Sequence, residues 1–154
     1  MIQDEPGPPP AHIGWALWAA LEAWMDCFVR DLRAAGFTEI TVARARLLGH
    51  LDRRAGTRLV DLAAAMDVSK QSAAQMVDDL TALGLLTRQP DPLDARAKRI
   101  VFAPRGRRFL AEADRIKRRI DEDLAEALTG SGLERLGDTL DRLRDRLSER
   151  PHDR

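Results

Sequence analysis

The 154-residue sequence predicts a mainly α-helical chain with one short β-hairpin. Three observations carry that reading. Apolar residues recur at three- and four-residue spacing over long segments near both ends, two short amphipathic segments stand close together in the middle, and a β-branched and aromatic run follows a turn rich in proline and aspartate.

The first helix is read from Ile13, Leu17, Leu21, Trp24, Phe28 and Leu32, which share one face, with Trp15, Trp18, Met25 and Val29 forming a second stripe beside it. A helix this apolar around its girth needs two surfaces to cover it, such as its own core and a partner subunit. Gly36 ends it. Thr41 is placed to cap a shorter helix through about Asp52, with Val42, Ala45, Leu48 and Leu51 inward. Leu59, Leu62, Ala63 and Met66 mark a third helix, and Asp67-Val68 make a brief turn. Ser69 suits the N-cap of the next segment, Lys70 to Leu83, whose inward residues are Ala73, either Met76 or Val77, Leu80 and Leu83; Gly84 stops it.

Leu85 to Gln89 and Ala97 to Ala103 are extended in character, and Pro90-Asp91-Pro92-Leu93-Asp94 between them is strong turn chemistry, so the pair reads as a hairpin with a protruding tip. Pro104 fits the first turn of a long helix to about Leu128, striped by Phe109, Ala113, Ile116, Ile120 and Leu124. Thr129-Gly130-Ser131-Gly132 breaks it. The last helix carries Leu133, Leu136, Leu140, Leu143 and Leu147, the narrow seam of a helix-pairing surface. That seam fits either a partner subunit or the chain's own first helix.

Charge balances overall, with 25 basic and 25 acidic side chains, so the total points to no nucleic-acid partner. The distribution differs. Residues 57–108 carry nine basic and six acidic groups, a net of +3, against −1 before them and −2 after. Salt screens exposed charges beyond roughly 8 Å, so a local basic patch matters more than the sum. One cysteine, Cys27, excludes an intrachain disulfide framework, and His12, His50 and His152 lack metal-ligand spacing. No cofactor and no metal are expected. The acidic, proline-rich start is unlike a signal peptide and no apolar run would span a membrane, so a cytoplasmic location is the expectation.

Two short helices joined by a tight turn and followed by an arginine-rich hairpin compose a winged helix-turn-helix, in which one helix fits the major groove of double-stranded DNA and the hairpin tip reaches the backbone or minor groove. The reading helix presents Lys70, Gln71, Ser72 and Gln75, beginning at Ser69; glutamine amides pair with adenine, and the helix N-terminus attracts phosphate. Asp78 and Asp79 would repel phosphate, which places them away from the groove.

The stretch LVDLAAAMDVSKQSAAQMVDDLTALGLLTRQPDPLDARAKRIVFAPRG, Leu59 to Gly106, resembles the MarR family of bacterial transcription regulators. The resemblance rests on the SKQ helix start, the LxxLGLLxR close, the DPxDxRAK wing and the PxG helix start. Beyond the proline-rich residues 1–12, expected to form a flexible arm, it implies a single MarR-like domain over 13–154, with the winged helix-turn-helix core at about 41–106 and dimerisation helices at about 13–35 and 104–148. It further implies a homodimer on a palindromic operator, acting as a repressor, with a small-molecule effector. On the wing positions, Arg96 is expected to enter the minor groove and Asp94 to steady it, with Lys98 and Arg88 for phosphate. Two positions depart from the family pattern: Ala95, where many relatives place a further arginine, and Ala103, where a threonine often caps the next helix.

No phosphate loop, carboxylate pair or nucleophile with a base can be assembled, so no enzyme is expected. One branch of the family senses peroxides through a cysteine in the first helix; Cys27 occupies such a helix, but the chain has no tyrosine to support its thiolate, which favours a structural role. Trp18, Trp24 and His50 fit either an aromatic ligand pocket or core and dimer packing. A winged-helix protein-interaction module without specific DNA binding is the rival reading.

Overall fold

The structure, a computed structural model, describes residues 12–149; the proposed arm at 1–12 lies outside them except for His12. Six helices and three strands follow in the order α1 (Ile13–Ala34), α2 (Val42–Gly49), β1 (Thr57–Arg58), α3 (Leu59–Met66), α4 (Lys70–Ala82), β2 (Leu86–Asp91), β3 (Asp94–Phe102), α5 (Pro104–Ala127) and α6 (Gly132–Ser148). The chain is mainly helical, with a winged-helix arrangement at its centre. Contacts divide it into two compact units that part after Leu110, inside α5.

In the first unit, the His12 imidazole accepts the Trp15 N–H at the start of α1, and Gly36, at φ 96°, turns the chain after its end. Phe28, Val29 and Leu32 are buried. Thr41 caps α2 as expected, accepting the Arg44 N–H at 3.3 Å. The helix stops at Gly49 rather than Asp52, because the Asp52 carboxylate takes the N–H groups of Arg54 and Ala55 at 2.8 and 2.7 Å and commits the backbone to a turn. Ala45, Leu47, Leu48 and Leu51 face inward, whereas Val42 is 43 % exposed. Leu62, Ala63 and Met66 from α3 meet Ala73, Val77 and Leu80 from α4 to fill the core between those helices. The turn joining them passes through Asp67 in the left-handed region at φ 55°, a conformation aspartate tolerates better than most residues.

The sheet is antiparallel in the order β1-β3-β2. Its outer strand β1 has only two residues, too few to leave any periodicity in the sequence. Pro90 and Asp91 belong to β2 rather than to the turn, which narrows to Pro92-Leu93. An edge strand accommodates Pro90 because its missing N–H need not serve a second neighbour. The register breaks between Pro90 and Asp91: Pro90 pairs with Lys98 but Asp91 pairs with Asp94. Three residues of β3, Ala95 to Ala97, therefore have no opposite number on β2.

Gly106 in the first turn of α5 is where the helix crosses the start of β2; a Cβ there would lie 2.0 Å from the Leu85 carbonyl oxygen. Phe37 packs edge-on to Phe109 with ring centroids 5.4 Å apart, and the Arg105 guanidinium lies over the Phe37 ring. Arg105 also meets Glu39 Oε1 at 2.5 Å, an ion pair without hydrogen-bond alignment.

In the second unit, Ala113, Ile116 and Ile120 of α5 are buried, while Leu124 is 36 % exposed. Thr129 and Gly130, both at positive φ, turn the chain into α6. No residue of α6 is buried, and its seam residues Leu136, Leu140 and Leu147 are 41–54 % exposed. Among the described residues no helix is long and apolar enough to cross a membrane.

Candidate nucleic-acid interface

The N-terminal turn of α4 is built by its cap. Ser69 Oγ accepts the Ser72 N–H at 3.0 Å and lies 2.8 Å from Ser72 Oγ, so both hydroxyls face the positive end of the helix. Lys70, Gln71, Ser72 and Gln75 are all exposed there, while Ala73, Val77 and Leu80 of the same helix are buried. Gln75 is not idle: its amide nitrogen donates to Asp79 Oδ1 at 2.9 Å.

Each aspartate of α4 has a cationic neighbour. Asp78 pairs with Arg88 of β2 at 2.8 Å, and Asp79 lies 3.6 Å from Arg44 of α2. The two carboxylates that looked hostile to phosphate are thus partly neutralised within the lobe, and Arg88, expected at phosphate, is engaged by Asp78.

The wing's exposed cations are Arg88, already paired with Asp78, and Arg96 and Lys98. Arg96 sits in the middle of the unpaired bulge, where the backbone is free of the ladder and a side chain can be re-aimed. Asp94 steadies the main chain rather than the guanidinium, its Oδ1 accepting the Arg96 N–H at 3.0 Å. Lys70, Arg96 and Lys98 form no ion pair among the described residues.

Behind the tip lies a charge cluster that sequence reasoning missed. Asp91, 3 % exposed, accepts the Arg58 Nε–H at 2.6 Å and the Arg99 Nε–H at 3.0 Å on Oδ2, and the Leu93 N–H at 2.9 Å on Oδ1. These bonds, that of Arg58 foremost, hold its carboxyl at about 2 against the opposing effect of burial. Arg99 also reaches the carbonyls of Ala55 and Gly56. No local pattern could have revealed a cluster drawn from positions 58, 91 and 99.

The remaining candidates lie elsewhere. Cys27 is half-buried on α1, with Arg30 Nη2 3.2 Å from its sulfur, a less apolar setting than the stripe suggested. A shallow groove of about 430 Å³ on this helix is lined by Ala23, Asp26, Cys27, Val29, Arg30 and Arg33 and includes none of Trp18, Trp24 and His50. Trp18 is 60 % exposed, Trp24 stacks on Phe28 at 5.2 Å, and His50 is exposed at the end of α2.

Comparison with known proteins fits this geometry. Residues 38–97, from before α2 into the wing, match the family model described as the MarR family. The match covers 60 of the 154 residues. Among solved structures it is similar to the transcriptional regulator PA3341, with 26 % identity, a TM-score of 0.73 and coverage of 90 % of this chain and 100 % of that one. It is similar in fold to MarR itself, at 20 % identity and TM-score 0.72 over 91 % of this chain and 100 % of that one. It also shares the fold of RV1404 from Mycobacterium tuberculosis, at 23 % identity and TM-score 0.72 over 92 % and 95 %. No curated protein matches the sequence. The matched segment contains α4 and the tip of the wing as far as Ala97; Lys98 and Arg99 lie just beyond it.

Proposed function

We propose that this chain is a homodimeric transcription regulator that reads double-stranded DNA with α4 in the major groove and the wing against the adjacent minor groove and backbone. The observation that carries the proposal is the pairing of an open, capped helix N-terminus bearing Lys70, Gln71, Ser72 and Gln75 with a hairpin whose bulge projects Arg96, with Lys98 beside it. A helix N-terminus and unpaired cations suit phosphate; amide side chains suit base edges. The two-fold symmetry of a palindromic operator would match a dimer. Support for the dimer comes from apolar surface that each unit leaves open: Ile13, Trp15, Trp18 and Leu21 on α1 are 60–69 % exposed, and the leucine seam of α6 is uncovered.

The test is selection of bound duplexes from a random library, followed by salt titration and substitution on the best site. Gln71→Ala and Gln75→Ala should each cost roughly 1 to 3 kcal/mol and relax base preference locally. Arg96→Ala should weaken binding across sequences and alter preference mainly toward or away from A·T-rich flanks. Lys98→Ala should lower affinity nearly uniformly, and the salt dependence should become shallower by about one unit for each phosphate no longer neutralised. Full affinity after Ala substitution of Gln71, Gln75 and Arg96 together would sink the proposal in favour of a protein-interaction module.

A further inference from the structure

The cluster behind the wing has a geometry that stability alone does not require. Arg58 and Arg99 are direct cross-strand partners on β1 and β3, a placement in which like charges repel. Asp91 reaches them from β2, and its Oδ2 takes one Nε–H from each. The same residue is the first pair beyond the register break, opposite Asp94, whose carboxylate holds the Arg96 N–H. Its Oδ1 fixes the turn through Leu93 N–H. One buried carboxylate therefore ties the outer strand, the turn and the near side of the bulge that bears Arg96.

We infer that Asp91, clamped between Arg58 and Arg99, is a positioning residue that sets the aim of Arg96 toward DNA. The inference rests on the DNA-reading function proposed above. Two features of the surroundings support it. The loop before β1 is pressed against β3, with Gly56 at φ 68° and room for no Cβ, which would lie 2.5 Å from Val101 Cγ1 and 2.7 Å from the Ile100 carbonyl oxygen. Arg99 bonds that loop as well as Asp91, so the clamp is braced against a close-packed base. Leu93 at the tip, by contrast, is 85 % exposed, and nothing apolar can hold the tip in place of the carboxylate. The three residues of the bulge have no partner on β2, so without Asp91 their direction is fixed by Asp94 alone.

The experiment is a double-mutant cycle on the selected operator at one salt concentration, using the full-length protein. In the wild-type background Arg96→Ala should lower affinity on the order of tenfold. In the Asp91→Asn background the same change should cost less than about twofold, because a misaimed guanidinium has little left to lose. Gln71→Ala, on the other surface, should cost the same factor in both backgrounds. Equal losses for Arg96→Ala with and without Asp91 would overturn the inference while leaving DNA reading intact; absence of salt-dependent duplex binding by the wild type would remove both. A readout free of DNA accompanies it: amide hydrogen exchange at Arg96 and Ala97 should quicken in Asp91→Asn while Thr87 and Val101, paired at the base of the hairpin, keep their protection. Unchanged exchange at the bulge would also overturn it. Should Asp91→Asn fail to fold, Arg58→Gln, which removes the outer arm of the clamp, is to show the same selective loss of the Arg96 effect, and its absence there refutes the inference.

Discussion

Gly106 offers a test of how the wing is seated on α5. Replacing it with alanine puts a Cβ 2.0 Å from Leu85 O, 3.0 Å from Leu85 C and 3.1 Å from Phe102 Cδ1. Relief by moving the carbonyl oxygen alone to an ordinary contact of about 3.4 Å needs a shift of about 1.4 Å. That oxygen accepts the Ala103 N–H at 3.0 Å, and Leu85 is fully buried, so the shift breaks a bond that water cannot replace. An orphaned buried group costs about 1 to 3 kcal/mol, and overpacking adds about 1 to 3. Against these stands a gain of at most about 1 kcal/mol from helix propensity. The net expectation is a loss of about 3 kcal/mol, which for a chain of this size lowers Tm by roughly 6 to 12 °C.

The comparison is Gly49→Ala, the same chemical change at the end of α2, where a Cβ meets nothing within 4 Å. It should be neutral or stabilising by up to about 1 kcal/mol. Urea unfolding followed by tryptophan fluorescence and far-UV circular dichroism, at one protein concentration, reads both. A Gly106→Ala protein as stable as wild type would refute the crossing geometry. Equal losses in the two variants would show that chain flexibility, not the close approach to Leu85, sets the effect.

Three further outcomes are expected. Because the Asp91 carboxyl is held at about 2 in the folded chain, below its unfolded value of about 3.9, its stabilisation is complete above about pH 4 and is lost as pH falls toward 2; wild type should lose more stability across that window than Asp91→Asn, and parallel pH profiles would contradict the clamp. Asp78→Asn releases Arg88 to phosphate and removes a negative charge from α4, so operator affinity should rise severalfold at low salt with a steeper salt dependence by about one unit per half-site, whereas weaker binding would show that the pair positions Arg88 instead. Aspartate at both Leu140 and Leu143 should shift a wild-type dimer toward monomer in sedimentation at micromolar concentration, and a wild type already monomeric there would refute the dimer itself.

Much of the fold is legible in the sequence because local chemistry and packing agree. Thr41 and Ser69 cap the helices whose starts they mark, and Gly36 and Gly84 adopt positive φ at 96° and 70° where the helical patterns stop. Differences arise where a residue's local preference meets a tertiary alternative. Pro90 and Asp91 have turn chemistry, but an edge strand accepts the proline, and two distant arginines give the aspartate partners inside the sheet. The apolar Val42 lies on the exposed side of α2, while Leu47, which the periodic reading omits, is fully buried.

Charge is where the sequence and the structure differ most in what they say about function. Counting along the chain gives +3 for residues 57–108, yet that sum treats every arginine as available. The fold commits Arg58 and Arg99 to Asp91, Arg88 to Asp78 and Arg105 to Glu39. Arg107 donates to the Phe102 carbonyl. Among the described residues Lys70, Arg96, Lys98, Arg107 and Arg108 form no ion pair, one at the start of α4, two on β3 and two in the first turns of α5. An interface for a polyanion is therefore defined by cations without internal carboxylate partners rather than by net charge, and that subtraction needs the three-dimensional pairing. It also explains why a chain of zero net charge is compatible with a DNA surface: its acidic groups are placed to position some of the arginines, while Lys70, Arg96 and Lys98 stand on the two elements proposed to meet the duplex.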